Sequence, residues 1–306
     1  MPEKQLRTKK APSKALTRFM MDFPAYLLLI PSVFCLFMFT WRPIFMNFFM
    51  SVFRLQGYQP VEFIGLENYI RIIKDSLFLK TLTNTFTYVG WSFVVGFLPP
   101  IFVAIIVNEL RACKSFVRFA IYFPSMTPII ITSLMWTLIY NPGPGGLLNS
   151  IFMKLGFEAL PWLNDANNAI LYIIISQTWA GFGSAAVLYM STLQGISNDL
   201  YEAAFIDGAT LWRRIWHITL PQIASIILLM FIRQFSGVFQ IFNEPLMMTG
   251  GGPNNATVTL GLLSYRYAFV YFQLEKAITV GVITFLILLV LTSFYFWVEK
   301  KVTIDE

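Results

Sequence analysis

Side chains that could carry out covalent chemistry are scarce in this sequence, and none has a partner at catalytic spacing. His217 is the only histidine, and the two cysteines, Cys35 and Cys113, are far apart. A zinc site requires more Cys or His ligands than this. The sequence also contains no phosphate-binding G-x-x-x-x-G-K-[ST] loop and no H-E-x-x-H or G-x-S-x-G motif. We therefore expect no catalytic residues, no metal site and no bound cofactor in this chain.

Polar side chains that interrupt two long apolar stretches form a second group. One series, in the stretch 222–242 and just beyond it, has the spacing i, i+4, i+7 and i+11 and consists of Arg233, Gly237, Gln240 and Glu244. Asn243 lies beside the last of these. A second series, in the stretch 169–190, has the spacing i, i+4 and i+7 and consists of Gln177, Gly181 and Ser184, with Trp179 nearby. Such spacing places side chains on one face of a helix.

The composition indicates what surrounds these polar residues. The 306 residues are 57% hydrophobic and only 12% charged, whereas soluble domains carry about 25% charged residues. Such a composition is typical of a membrane protein. Six stretches are long enough to cross a bilayer core of about 30 Å, and they are 23–41, 84–107, 119–140, 169–190, 222–242 and 278–298. All six are expected to be helices, and no strand-like alternation is visible.

The distribution of lysine and arginine predicts the orientation. A basic tail at 1–20 precedes the membrane domain at 21–306, and the segments on the side of the N-terminus carry more basic residues than the opposite segments. Because cytoplasmic loops are enriched in Lys and Arg, both termini are predicted to be cytoplasmic. The first span is followed by no small-residue cleavage site, so we interpret it as an uncleaved anchor.

In these surroundings the two polar stripes have two interpretations. A charged group at membrane depth usually faces a cavity or a partner helix, so the stripes predict a polar path through the bundle. Alternatively, the same side chains form hydrogen bonds between helices, as Ser and Gln often do in membranes.

The cytoplasmic segment 197–221 contains the charged stretch EAAFIDGATLWRRIWHITLP. Ser197 or Asn198 is expected to cap a short helix, which Gly208 ends in a left-handed conformation. Thr210 is expected to cap a second helix, and Pro221 suits the first turn of the membrane helix that follows. The apolar face of the second helix fits either the lipid surface or a groove on a cytoplasmic partner.

A family resemblance favours the partner. Glu202, Ala203 and Ala204, then Gly208, then the ITLP at 218–221, resemble the EAA loop of binding-protein-dependent ABC importer permeases, at every consensus position and spacing. The similarity extends over nearly the whole chain, through FIGLENY at 63–69, FVRFAIYFPSMTP at 116–128 and TGGGPNNAT at 249–257. The carbohydrate-importer branch, of the maltose and glycerol-phosphate type, is the most similar.

The resemblance implies an all-α, six-span permease of the type I ABC importer fold in a bacterial inner membrane. It implies a loop that couples to an ATP-hydrolysing subunit, and the coupling residues would be Glu202, Ala203, Ala204, Asp207, Gly208, Ala209, Leu211, Ile218, Leu220 and Pro221. The implied partners are a second homologous permease, two ATPase subunits that use ATP and Mg, and an extracytoplasmic binding protein. No nucleic-acid partner is expected.

For the polar path, the resemblance implies a sugar cargo. Amide and carboxylate groups can bond sugar hydroxyls, and Trp179 can stack on a sugar ring. Gly250, Gly251, Gly252 and Pro253 would lie near the outer gate and the docked binding protein. The alternative function is a stand-alone secondary transporter, although such proteins often have internal repeats and we find no clear repeat of halves.

Overall fold

A computed structural model describes residues 26–110, 112–143 and 145–304, with side chains to residue 300 except that of residue 298. The predicted basic tail at 1–20 and the first residues of the first span lie outside the described residues. The described part is largely helical, and its only strands form a two-stranded hairpin.

Helices long and apolar enough to cross a membrane form the bundle. The unbroken ones are α1 (Tyr26–Ser51), α3 (Ser76–Glu109), α7 (Ala169–Leu193) and, at the C-terminal end, α13 (Leu274–Ile304). Two further spans are bent pairs, namely α4 (Lys114–Met126) with α5 (Ile129–Ile139), and α9 (Leu211–Gln222) with α10 (Ala224–Phe239). When each bent pair counts as one span, the described residues contain six spans, as the sequence predicts.

The remaining elements connect the spans. They are β1 (Phe53–Gln56), β2 (Gln59–Phe63), α2 (Glu67–Ile73), α6 (Leu147–Lys154), α8 (Asn198–Ile206), α11 (Asn243–Thr249) and α12 (Leu260–Tyr265). Along this path α8 and α9 lie at one end of the bundle, which we call the coupling side. The hairpin and α11–α12 lie at the other end, the distal side.

Both bends have local causes. The α4–α5 pair turns by 96° at Thr127, whose extended backbone (ψ 130°) is the conformation that a residue before proline prefers. The α9–α10 pair turns by 70° just after Pro221. Here the helix widens over Ile215–Thr219, and the Leu220 N–H reaches back to the Ile215 carbonyl. Since Pro221 has no N–H to donate, the regular ladder cannot resume cleanly at this point.

The distal connection after the first span differs from the prediction. The sequence predicts a first outer loop from Arg42 to about Thr83 that contains an interfacial helix around LENYIRIIKDSLFLK. Helix is present there as α2 and the start of α3, but the connection is shorter than predicted because α1 continues to Ser51 and α3 begins at Ser76. Between them β1 and β2 pair antiparallel, with a bulge after Arg54. The prediction of a chain without strands was therefore wrong in this segment. The hairpin's apolar alternation covers only a few residues, too few for a clear period-two pattern.

Buried apolar residues form two separate clusters. One lies toward the distal side and includes Tyr88, Ile173 and Phe239, all at 0% exposure. The other lies toward the coupling side and includes Ala104, Tyr189 and Ile223. The long helices α3 and α7 contribute residues to both clusters and so connect them.

The helices α4 and α7 approach each other closely at Gly183 of α7. A methyl group at this position would overlap the backbone carbonyl of Ile121 in α4. Only glycine therefore allows α4 and α7 to cross backbone to backbone, as small residues often do at helix interfaces in membranes.

Candidate coupling loop and polar cavity

The segment 197–221, which is predicted to be cytoplasmic and to couple to a partner, folds as two short capped helices. Ser197 Oγ accepts the Asp199 N–H at 3.2 Å at the start of α8. Thr210 Oγ1 accepts the Arg213 N–H at 3.4 Å at the start of α9. Each cap satisfies a backbone donor that the first helical turn leaves unpaired. The local folding expected from the sequence is therefore confirmed at both helix starts.

Gly208 forms the bend between the two helices, as the sequence predicts. Its φ is +71°, in the left-handed region. The Ala209 N–H donates to the Ala204 carbonyl at 2.9 Å and the Gly208 N–H donates to the Phe205 carbonyl at 3.0 Å. This is the hydrogen-bond pair of a Schellman motif, which normally places glycine at this position. A β-carbon on Gly208 would meet nothing within 4 Å, so the requirement for glycine is conformational.

The position of Pro221 differs from the prediction. It lies at the end of α9, one residue before Gln222, and the next membrane helix begins only at Ala224. The second short helix therefore runs through the whole consensus ITLP, with Ile218 and Leu220 half-buried. The physical reason is the widened turn described above, which tolerates a proline inside a continuous helical segment.

The loop presents large apolar side chains to its surroundings. Phe205 is 72% exposed, Ile206 83% and Trp212 63%, and Leu211 and Trp216 are also exposed. Beside them a groove of about 460 Å³ is lined by both helices, with Glu202, Tyr201 and Arg214 on its walls. An exposed apolar patch of this kind next to a groove is typical of a surface that contacts a protein partner or the membrane.

The coupling residues predicted from the family consensus lie together in this loop. Glu202, Ala203 and Asp207 are exposed on α8 and its end, whereas Ala204 and Ala209 are half-buried at the bend. Small side chains at 203 and 204 leave the backbone of α8 open to close approach.

A small polar cavity lies between α3, α7 and α10. It has a volume of about 150 Å³, and its lining includes Gly96, Gln177, Thr178, Gly181 and Gln234. Gly96 is important for its shape, since a β-carbon there would lie 3.0 Å from Gln234 Nε2 and 3.2 Å from Thr178 Oγ1. Amide and hydroxyl groups can both donate and accept hydrogen bonds.

The structure brings only part of the predicted polar path to this cavity. Gln177 and Gly181 line it, and the Gln177 side chain also interacts with the buried carboxyl of Glu244. Trp179 instead packs edge-on against Trp136, at 5.8 Å between ring centroids. The Ser184 hydroxyl donates to its own helix, at the Gly181 carbonyl.

The expected continuous stripe from Arg233 to Glu244 was wrong. The helix α10 ends at Phe239, and Phe242 has a non-helical backbone (φ −139°) before α11 begins at Asn243. Gln240 is exposed, and its amide donates to the Ser236 carbonyl at 3.1 Å. Arg233 and Asn243 are exposed. Four positions at helical spacing therefore do not share one face, because the chain leaves the helix between them.

Sequence reasoning missed Thr178 and Gln234 as lining residues of the cavity. Gln234 follows Arg233 directly, and the stripe built on Arg233 placed Gln234 on another face. The signal was nevertheless present, since an uncharged amide inside an apolar span also needs a polar partner. Thr178 gives a weaker signal because a threonine hydroxyl in a helix can bond its own preceding turn.

The glycine-rich loop after α11 is held firmly at the distal side. The Asn84 amide donates to the carbonyls of Asn255 (2.9 Å) and Val258 (3.1 Å). The Tyr88 hydroxyl donates to the Thr257 carbonyl at 3.2 Å. These contacts join the loop to α3. The sequence analysis placed Gly250–Pro253, in the same loop, near the outer gate and did not predict this attachment.

Arg266, the residue directly after α12, holds the same loop. Its guanidinium donates to the Gly250 carbonyl and, at 2.9 Å, to Asn255 Oδ1. Gly251 has φ +91°, and a β-carbon there would lie 2.6 Å from Arg266 Nη2. Gly251 is thus required both for its backbone conformation and for the space that Arg266 occupies.

A bundle of apolar spans with a polar cavity inside and an exposed pair of helices at one end defines a membrane component of a transport system. Residues 96–304 match the family model described as "Binding-protein-dependent transport system inner membrane component". The chain belongs to this family, which confirms the resemblance noted in the sequence.

Several curated proteins are similar over most of their length. The "Probable ABC transporter permease protein YurN" of Bacillus subtilis is 34% identical over 272 residues, which cover 87% of this chain and 92% of that protein. The "Trehalose/maltose transport system permease protein MalF" of Thermococcus litoralis is 32% identical over 281 residues, which cover 90% and 93%.

A solved structure has the same fold. A chain of a bacterial ABC transporter involved in the import of the acidic polysaccharide alginate superposes with a TM-score of 0.85, covering 95% of this chain and 100% of that chain. The sequence identity is 22%, so this likeness shows the permease fold alone.

Proposed function

We propose that this chain is a permease subunit of an ATP-driven, binding-protein-dependent importer of di- or oligosaccharides. It forms half of the translocation path and pairs with a second, homologous permease in a bacterial inner membrane. Two separate ATPase subunits hydrolyse ATP with Mg, and an extracytoplasmic binding protein delivers the sugar. The Thermococcus relative, named for trehalose and maltose transport, supports a sugar as the cargo.

The observation that carries this proposal is the exposed apolar face of the coupling loop. Phe205, Ile206 and Trp212 lie on two helices whose caps and Schellman turn fix them relative to each other. Burial of each such side chain in a partner groove contributes about 2 kcal/mol. A chain that lacks an ATP-binding loop of its own requires such a contact to receive work from ATP hydrolysis.

The polar cavity supports a hydroxyl-rich cargo. Gln177, Thr178 and Gln234 offer donors and acceptors without a net charge. A neutral sugar binds through exchangeable hydrogen bonds of this kind, whereas an ion would require a charged or carbonyl-lined site. At about 150 Å³ the cavity in one subunit holds only part of a disaccharide, so the second permease supplies the rest of the site.

In this proposal, transport proceeds by alternating access. Closure of the ATPases moves the coupling helices as near-rigid bodies, and the permease pair switches the side to which its cavity opens. The alternative of a stand-alone secondary transporter leaves the exposed apolar face of the coupling loop without a role.

Uptake by the purified transporter in vesicles tests the proposal. Two ATPase chains and a second permease should co-purify with this chain, and sugar uptake should require ATP and the binding protein. Dissipating ion gradients with ionophores should leave uptake unchanged. Uptake by this chain alone, driven by an ion gradient, would contradict the proposal.

The cavity is tested separately from the energy source. Gln234→Leu should lower sugar uptake about tenfold, the effect of about 1.4 kcal/mol from lost hydrogen bonds, while ATPase activity without sugar persists. Gln240→Leu is the matched control, because Gln240 is exposed and bonds its own helix, and it should transport normally. Equal losses of sugar uptake in the two variants would contradict the proposal that sugar passes through the cavity.

A further inference from the structure

The distal hairpin of β1 and β2 has two chemically different faces. On one face Arg54 Nη1 pairs with Glu62 Oε2 at 2.7 Å. On the other face Phe53 lies opposite Phe63, with 5.4 Å between ring centroids. Every residue of β2 is exposed, and Phe63 is 67% exposed. The hairpin is therefore an amphipathic sheet whose apolar side is largely uncovered within this chain.

The apolar face of the hairpin continues the surface of the first span. Phe49 near the end of α1 is 50% exposed and packs on Phe53 at 4.8 Å, and Phe53 packs on Phe63. None of the most apolar part of α1 is buried in the chain, as expected for a span that faces hydrocarbon. One row of aromatic rings thus leads from the membrane-facing surface of α1 onto the hairpin.

Contacts at both ends of β1 hold the hairpin against neighbouring parts of the bundle. Its base begins two residues after Ser51, where the Asn68 amide donates to the carbonyls of Ser51 and Phe53, both at 3.0 Å. Farther along, the Leu55 N–H donates to Glu275 Oε2 at 3.1 Å, in the first turn of α13. Both contacts involve β1, which is held between the end of α1 and the start of α13, so the hairpin lies beside the distal ends of these two spans.

Two more exposed rings lie near the hairpin, Tyr58 in its turn and Phe272 in the segment before α13. Tyr58 is 74% exposed and Phe272 is 83% exposed, and both line a cavity of about 240 Å³ with Leu55 and Glu275. Phe272 has φ +55°, a conformation that costs a bulky side chain free energy. Strain that keeps an aromatic ring exposed is expected where the ring has an external partner.

We propose that this hairpin is a lipid-binding element, embedded in the headgroup layer of the distal leaflet. Phe63, Tyr58 and Phe272 lie among the upper acyl chains, and the Arg54–Glu62 pair faces water. Aromatic side chains, Trp and Tyr above all, are enriched at this depth because the ring can contact acyl chains while its polar end contacts water. The proposal depends on the chain being a membrane protein and not on the identity of its cargo.

The position of the hairpin gives this contact a consequence. Through Leu55 and Glu275 the hairpin is joined to the start of α13, while Asn68 joins it to the end of α1. Lipid around the hairpin therefore holds these two span ends at a fixed depth in the distal leaflet.

Site-directed fluorescence in the assembled transporter tests the proposal. In a background with Cys35 and Cys113 replaced by alanine, an environment-sensitive dye is attached at Phe63→Cys or Tyr58→Cys. Gln56→Cys, an exposed residue of the same hairpin, is the matched control. The transporter is placed in vesicles of phosphatidylethanolamine and phosphatidylglycerol, with acyl chains brominated near the headgroup as the lipid quencher and iodide as the aqueous quencher.

Dye at positions 63 and 58 should be quenched by brominated lipid about threefold more than dye at position 56, and iodide should show the reverse order. Equal access of iodide to all three positions would overturn the proposal. Shielding of position 63 that arises only when the binding protein is added would also overturn it, and would assign the hairpin to protein docking.

A photocrosslinking amino acid at position 63 provides a readout that does not depend on dye environment. Crosslinked product should contain phospholipid. Crosslinking mainly to the second permease or to the binding protein would instead identify the hairpin as a protein interface and contradict the proposal.

Discussion

The hydroxyl of Tyr201 lies 3.0 Å from Oγ1 of Thr219, and this contact joins the two short helices of the coupling loop across 18 residues. Thr219 is buried, and its hydroxyl also reaches the Arg214 carbonyl. The first helix is thereby tied to the segment that leads into the fifth span. A force applied to the exposed face of α8 passes through this contact as well as through the backbone at Gly208.

Tyr201→Phe removes the hydroxyl and keeps the ring. A hydrogen bond of this kind contributes about 1 kcal/mol, so we expect the transporter to assemble while the sugar transported per ATP falls several-fold. Uptake and ATP hydrolysis measured in the same vesicles give this ratio. Thr219→Val removes the other partner, and the double variant should be no worse than either single one. Additive losses would show that the two hydroxyls act independently.

Substitutions at Gly208 should follow backbone conformation and not side-chain size. A non-glycine residue with φ near +71° costs about 1–2 kcal/mol, whereas asparagine tolerates this region. No steric clash is expected, because a β-carbon there meets nothing within 4 Å. Gly208→Asn should therefore retain most uptake, and Gly208→Val should lose it.

The Gly208 variants are compared at equal amounts in the membrane. Normal ATPase assembly and normal uptake by the valine variant would contradict a coupling role for the bend. Equal loss in the asparagine variant would mean that the partner subunit leaves no space for any side chain there.

Gly183→Ala should destabilise the bundle itself. The added methyl group overlaps the Ile121 carbonyl, and overpacking of this kind costs about 1–3 kcal/mol. We expect a lower thermal midpoint in detergent and less protein in the membrane. Gly181→Ala, two residues earlier on the same helix, is the matched control because a β-carbon there meets nothing within 4 Å. Equal midpoints for the two variants would refute the close crossing of α4 and α7.

Arg266→Gln should loosen the distal loop without unfolding the chain. It removes the donor to the Gly250 carbonyl and leaves a space beside Gly251. If the loop contacts the binding protein, ATPase stimulation by that protein should fall while basal ATPase activity persists. Gly251→Ala should have the same effect through its clash with Arg266, whereas Gly252→Ala, with its nearest neighbour at 3.4 Å, should be mild. If the binding protein stimulates the ATPase activity of Arg266→Gln normally, the Arg266 contacts with the loop have no functional role.

The coupling loop could be predicted closely from the sequence because its signals are local. Ser197, Gly208 and Thr210 act through caps and turns within a few residues of themselves, so no knowledge of the tertiary fold was needed. The six spans could be found for a similar reason, since hydropathy reports the solvent around a helix and not its neighbours.

The polar path could be predicted only in part, because it depends on where helices end and which faces meet. The helix α10 ends at Phe239 and Pro245 directly follows Glu244, so the face on which the sequence placed Gln240 and Glu244 with Arg233 does not form. Gln234 joins Gln177 only through the packing of α10 against α7 and α3. The hairpin was missed because its pairing is defined by Asn68 and Glu275, which lie outside it.

The polar cavity lies between the two buried apolar clusters, and this placement divides the subunit mechanically. Above and below it, residues such as Tyr88 and Tyr189 are closely packed and resist deformation. At its level α3 has a widened turn over Ser92–Phe97 and a glycine at position 96. If α3 bends at this level, the contacts that break are hydrogen bonds of the cavity lining, which water can replace, and the packed apolar contacts stay closed. The subunit is thus two stiff blocks joined by a compliant layer, and the proposed cargo site lies in the layer in which bending costs least.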